Sequence, residues 1–209
     1  MSFPMMSPVS TISRRPPQDQ SSAARTRAAL LDASRKLIDE RGAFASLSVA
    51  DIATTAGVSR PTFYAYFRDK RDVVLALGLE MQDDLRRAAD PWLRGGTGVL
   101  RETLEAVLGG FRDHHAAVAA IVEAATYDPE VAAFWRAFHQ WFVESGTRRA
   151  LAADPNRTPE EATAAAYALV WMTERSFTEH LVAPQVSDAS LISAIEHLWH
   201  SVVGDDRTP

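Results

Sequence analysis

The chain has 209 residues, 46% of them hydrophobic and 23% charged, enough for one larger or two small packed domains. It contains no cysteine, which excludes a disulfide framework, a thiolate metal site and thiol redox chemistry. The net charge of −5 is unevenly held: residues 1–75 carry eleven Lys/Arg against seven Asp/Glu, and the remainder eleven against twenty. Such a basic N-terminal part on an acidic body suits one face to phosphate.

Residues 1–23, rich in Ser and Pro, lack the continuous apolar stretch of a secretory signal and read as a flexible tail. Arg14 and Arg15 within it suit a basic arm reaching a minor groove, although a solvated tail is the simpler reading. A first helix is expected from Ala24 to Arg41, with Ala28, Leu31, Ala33, Leu37 and Ile38 inward and Gly42 ending it. Ser48 and Asp51 have the spacing of a capping box, so a second helix begins there with Val49, Ile52, Ala53 and Ala56 on its apolar face. Gly57 then supplies a tight turn, and Ser59 caps a third helix that opens at Arg60 and tolerates Pro61 in its first turn. Phe63 and Phe67 anchor that helix, leaving Arg60, Thr62, Tyr64 and Tyr66 outward or at the edge. Two short helices around such a turn, with a polar and aromatic second helix, form the layout of a DNA-reading helix-turn-helix. The expected DNA contacts are Ser48, Ser59, Arg60, Pro61, Thr62, Tyr64, Tyr66 and Lys70. Among them Ser48, Tyr66 and Lys70 are assigned to phosphates, and Thr62 and Tyr64, with Arg60, to base edges or the backbone beside them.

A fourth helix is expected from Asp69 to Ala89 as a connecting rod, followed by a linker ADPWLRGGTG. Beyond it the helical signals continue without strand-like alternation: Thr97 to His114, His115 to Tyr127, and Asp128-Pro129 to Ala152. Thr158, Pro159 and Glu161 give a strong start to an eighth helix reaching Leu181, and Ser187 or Asp188 caps a ninth ending at Val203. The fold class is therefore all-α with nine helices. The seventh carries FWRAFHQWF, with aromatic residues on more than one face, a pattern that implies burial and suits an apolar cavity. Ala162, Ala165, Ala166 and Leu169 on the eighth helix, with Leu191, Ile195, Leu198 and Val202 on the ninth, form the expected dimer surface, a four-helix bundle across two copies. The alternative is that these faces close the chain's own core.

The run A-D-I-A-x-x-A-G-V-S-x-x-T-F-Y-x-Y-F-x-x-K resembles the DNA-binding signature of the TetR/AcrR family of bacterial transcriptional regulators. SRPTFYAYF, with MTERS and EHLWHSVVG later in the chain, is further similar to mycobacterial EthR-type repressors over residues 24–204. The resemblance implies a helix-turn-helix domain at 24–68, an effector-binding and dimerisation domain at 69–204 and a short tail at 205–209. It also implies a homodimeric, cytoplasmic repressor that leaves double-stranded operator DNA when a hydrophobic small molecule enters a long tunnel. The implied effector residues are Phe111, Trp135, Phe138, His139, Phe142, Thr173, Glu174, Phe177 and Trp199. This chain departs from its relatives at Val170 and Thr173, where they carry asparagine.

The alternatives are a TetR-like activator and a DNA-binding protein without a small-molecule effector, and an enzyme is the main rival class. The sequence has no G-x-S-x-G elbow, no phosphate-cradling glycine loop and no H-E-x-x-H pair. His197 and His200 with Glu196, and the neighbours His114 and His115, are read as surface or partly buried histidines rather than metal ligands. No catalysis, cofactor or metal is expected, and no stretch reaches the ~20 apolar residues of a membrane helix.

Overall fold

The computed structural model describes residues 18–96 and 99–203, which form nine α-helices and one short 3-10 turn, with no strand among the described residues. α1 (Gln18–Arg41) starts before the expected Ala24, so residues 18–23 belong to a helix and not to a tail. Arg14, Arg15 and residues 205–209 lie outside the described residues. Leu31, Ala33, Leu37 and Ile38 are buried as expected, joined by Leu30, whereas Ala28 is exposed because the early turns of α1 are largely uncovered. Gly42, at φ +71°, ends the helix, and a 3-10 turn over Phe44–Ser46 follows that the sequence reading did not include. α2 (Val49–Thr55) and α3 (Arg60–Tyr64) come next, capped by Ser48 and Ser59 as expected.

α4 (Lys70–Leu93) is capped by Asp69 and runs past the expected end at Ala89. Pro91 sits in its last turn, where a missing amide costs a single helical bond, and the next residue, Trp92, is buried. At 1.5 Å per residue its 24 residues span about 36 Å. α5 (Leu100–Asp113), α6 (His115–Ala124), α7 (Pro129–Ala153), α8 (Pro159–Val182) and α9 (Asp188–Val203) follow. Thr97, the expected start of the fifth helix, lies outside the described residues. The capping box of Thr158 and Glu161 forms as read, and Ser187 Oγ accepts from the Ser190 amide at 3.2 Å to cap α9.

α4 packs along α5 and α7 along α8, with α9 lying over α5, α7 and α8. The approach of α4 to α6 and α7 depends on Gly78: a Cβ there would stand 2.7 Å from the Phe134 ring and 2.9 Å from Ile121 Cδ1. A larger residue there would require the Phe134 ring and the Ile121 side chain to shift.

The small face of α8 is used inside the chain. Ala162, Ala166 and Leu169 are buried, as is Ile195 on α9, and a Cβ added at Gly146 of α7 would lie 3.1 Å from Ala166 Cβ. Side chains covered by their own chain offer no surface to a second copy, so these four are removed from the expected dimer face. Ala165, Leu191 and Val202 are half-buried and Leu198 is exposed; Tyr167, Val182 and Val186 are further exposed apolar side chains of the same region.

Candidate DNA-reading surface and effector cavity

The helix-turn-helix is fixed by reciprocal caps. The Asp51 amide donates to Ser48 Oγ at 3.1 Å, and the Ser48 amide donates to Asp51 Oδ2 at 3.0 Å. Gly57 takes φ +68° after α2, and the Val58 amide donates back to the Ala53 carbonyl at 2.9 Å, which closes the turn. Ser59 Oγ then accepts from the Thr62 amide at 3.2 Å. Phe63 and Phe67 are buried, with ring centroids 5.7 Å apart, and hold α3 against the domain. Tyr64 is 51% exposed and Arg60 is exposed without an ion pair among the described residues, so both present free donors on one surface. Pro61 is exposed, Thr62 half-buried, and Tyr66 packs partly against the core.

Two of the expected phosphate contacts have other tasks. The Ser48 hydroxyl donates to Asp51 Oδ2 at 2.7 Å, so its hydrogen is committed to the capping box. Lys70 Nζ donates to the carbonyls of Phe44, Ala45 and Leu47 at 3.3, 2.9 and 3.0 Å and lies 4.8 Å from the centroid of the Phe44 ring. An ammonium has three hydrogens, and all are engaged. The geometry therefore makes Lys70 a clamp on the 3-10 turn and leaves no hydrogen for a phosphate.

An apolar cavity of about 70 Å³ lies among α4, α5, α7, α8 and α9. Phe111, Phe138, His139, Phe142, Thr173, Glu174 and Trp199 line it, together with Ala89, Trp92, Leu93, Leu100, Thr103, Leu104, Val107 and Val170. Its rings touch edge to face: Trp92 and Trp199 at 5.1 Å, and Phe138 and Phe142 at 5.1 Å. A ligand pocket occupies about 300 Å³ or more, so a ligand must part these rings to enter. Polar groups are few. Trp199 Nε1 donates to Thr173 Oγ1 at 3.1 Å. His139 is fixed by its Nδ1, 2.7 Å from the Trp135 carbonyl, and by stacking on Trp171 at 3.8 Å. Glu174 Oε2 stands 3.8 Å from His139 Nε2.

Two family descriptions match the chain: residues 30–77 fit the bacterial regulatory proteins of the tetR family, and residues 100–204 the C-terminal domain of the transcriptional regulator EthR. The HTH-type transcriptional regulator EthR of Mycolicibacterium smegmatis is 31% identical over 193 residues, covering 85% of this chain and 86% of that protein. EthR of Mycobacterium tuberculosis H37Rv is likewise 31% identical over 200 residues, covering 86% and 88%. This chain belongs to the TetR family of bacterial transcriptional regulators. Solved structures agree in fold. A TetR-family regulator from Syntrophomonas wolfei superposes with a TM-score of 0.70 at 17% identity, covering 87% of this chain and 96% of that one. A TetR-like regulator from Rhodococcus sp. RHA1 gives 0.64 at 22%, covering 86% and 97%. The matched families and relatives are regulators, not enzymes.

In this TetR-family chain, seven of the nine expected effector residues meet at one cavity. Trp135 and Phe177 do not line it: Trp135 stacks behind Phe138 at 5.1 Å, and Phe177 is fully buried with its edge to Phe111 at 6.2 Å. Of the α5 wall the sequence points only to Phe111, although Leu100, Thr103, Leu104 and Val107 follow the same helical face. Trp92 lies in the stretch expected to be a linker, and the continuation of α4 through Pro91 brings it to the cavity.

Several contacts join the body to the helix-turn-helix. Glu123 of α6 accepts from the Phe44 and Ala45 amides at 2.7 and 2.8 Å. Within the body, Arg71 of α4 pairs with Asp128 at 2.6 Å and Glu130 at 3.0 Å, which raises the guanidinium's affinity for its proton, Glu130 being the largest cause, and so ties the start of α4 to that of α7. Arg35 of α1 pairs with Glu80 of α4. Among the described residues no cluster of His, Asp or Glu suits a metal ion, and no helix is long and apolar enough to cross a membrane.

Proposed function

We propose that this protein is a homodimeric, cytoplasmic repressor that binds double-stranded operator DNA and is released by a hydrophobic small molecule. The observation that supports this best is the continuity of α4. Its first residue, Lys70, clamps the turn before α2, and its last turns contribute Ala89, Trp92 and Leu93 to the cavity wall. A ligand that parts the rings moves the end of a stiff rod whose other end carries the helix-turn-helix.

In this reading residues 24–68 read DNA, with Arg60, Thr62 and Tyr64 at base edges and Ser59, Pro61 and Tyr66 against the backbone. Residues 69–204 sense the ligand and dimerise through the apolar side chains left outward on α8 and α9, Leu198 and Tyr167 among them. Two copies place their α3 helices in successive major grooves, about 34–36 Å apart. Moving occupancy from 99% to 1% requires that the ligand prefer the released state by ~10⁴-fold, or ~5.5 kcal/mol.

The test is a fluorescence-anisotropy titration of labelled DNA from upstream of the protein's own gene, at fixed salt, with and without a panel of apolar compounds. Binding much tighter than to scrambled DNA, abolished by a compound, is expected. Specific binding that no compound alters contradicts the release mechanism, and equal binding to scrambled DNA contradicts operator recognition at that site.

A further inference from the structure

We propose that the effector carries a protonated amine on an apolar body, with the amine held between Glu174 and His139. This rests on the reading of the cavity as the effector site. Both side chains line the cavity; that of His139 is 2% exposed and that of Glu174 10%. His139 Nδ1 lies 2.7 Å from the Trp135 carbonyl oxygen, and a carbonyl only accepts, so Nδ1 carries the hydrogen. In the neutral ring Nε2 then presents a lone pair, and this buried atom has no hydrogen-bond partner. Glu174 Oε2 stands 3.8 Å away, too far for a direct hydrogen bond and close enough for one small group to touch both atoms.

The surrounding cations are engaged elsewhere. Arg175, next to Glu174 in sequence, pairs with Glu179 at 2.8 Å and is largely exposed. Arg149 donates to the Trp92 carbonyl at 2.6 Å. Among the described residues, the group that faces the Glu174 carboxylate is His139. A buried carboxylate without a cation is costly, and a ligand supplying one gains what the protein lacks.

The two acceptors specify the head group. A primary or secondary ammonium brings a positive charge and at least two hydrogens, one for Glu174 Oε2 and one for His139 Nε2. An alcohol brings one hydrogen and no charge. A carboxylate brings no hydrogen and a like charge. The rings of Phe138, Phe142 and Trp199 line the same cavity and give an apolar bed for the body. The site is preorganised, since the Trp135 carbonyl and the Trp171 stack fix the imidazole before any ligand arrives.

The experiment is calorimetric titration of the full-length protein at neutral pH with 4-phenylbutylamine, 4-phenylbutan-1-ol and 4-phenylbutanoate. The amine is expected to bind at least about tenfold more tightly than the alcohol, with the acid weakest. Glu174→Gln, which keeps the volume, should weaken the amine by about tenfold and leave the alcohol within about twofold. If the wild-type protein binds the alcohol or the acid as tightly as the amine, the cavity stands as a ligand site and the amine assignment fails. The same holds if Glu174→Gln binds the amine unchanged. If none of the three compounds binds, the effector reading of the cavity fails, and this proposal with it.

Discussion

The Glu123 carboxylate and the Lys70 ammonium hold the same turn, one through its amides and the other through its carbonyls. Glu123 takes the amide hydrogens of Phe44 and Ala45, and Lys70 gives hydrogens to the carbonyls of Phe44, Ala45 and Leu47. One belongs to α6 and the other to the start of α4, so the turn before α2 reports the relative position of two body helices. Glu123→Ala leaves the Phe44 amide without its acceptor in a part-buried site, at a cost of about 1–3 kcal/mol. The melting temperature should fall by about 2–10 °C, and operator affinity should fall with it. A variant with wild-type melting and wild-type operator affinity would show that the turn is held by other contacts.

The engagement of Lys70 sets an expectation for salt dependence. Arg60 is exposed and has no ion pair among the described residues, so Arg60→Ala should lower the slope of log K against log salt by about one. Lys70→Ala should weaken binding by loosening the turn while leaving that slope unchanged. Anisotropy titrations at several salt concentrations separate the two. A slope lowered by Lys70→Ala would restore a phosphate contact to that residue.

Tyr64 is half-exposed and stacks edge-on against Phe63 at 5.5 Å. Its removal takes little from the core. Tyr64→Ala should weaken operator binding by about tenfold, in the range of a single lost base contact, with the dimer state and melting temperature unchanged. Unchanged operator affinity in the same titration would remove Tyr64 from the reading surface.

Asp51 gives a pH dependence. The Arg41 guanidinium, then the Ser48 hydroxyl and amide, hold its carboxyl well below the usual carboxylate range, whereas in the unfolded chain it titrates near about 3.9. A depressed folded value means that the unfolded state binds more protons in this window. The capping-box contribution is thus full above about pH 5 and is lost as pH falls below about 4. The difference in melting temperature between wild type and Asp51→Asn should be constant from pH 7 to 5 and shrink below pH 4. A difference that widens in acid would contradict the assignment.

Much of the fold is written in local signals. Ser48 with Asp51 and Thr158 with Glu161 satisfy each other's free amides, and Ser59 accepts from the Thr62 amide beside a proline that needs no partner, so these helix starts follow from spacing alone. The limits of that reading have physical causes too. Spacing places Ser48 and Lys70 on the helix-turn-helix, but whether their hydrogens are free depends on Asp51 and on a turn more than twenty residues away. An i, i+4 stripe marks Trp135 and His139 as buried without saying which borders a void; His139 does and Trp135 stacks behind. Small residues such as Ala162 and Ala166 announce a close helix neighbour, and that neighbour proves to be α7 of the same chain.

Ligand in the cavity is expected to change the spacing of the reading helices across a dimer. Because the chain has no cysteine, a single spin label on Thr55→Cys, an exposed position at the end of α2, reports one distance across the dimer. Pulsed electron resonance on this variant should give one interprotomer distance in the operator complex. That distance should shift by several ångströms when the compound that displaces the operator is added. No interprotomer signal would contradict the dimer, and an unchanged distance while the operator is released would contradict the motion of α4.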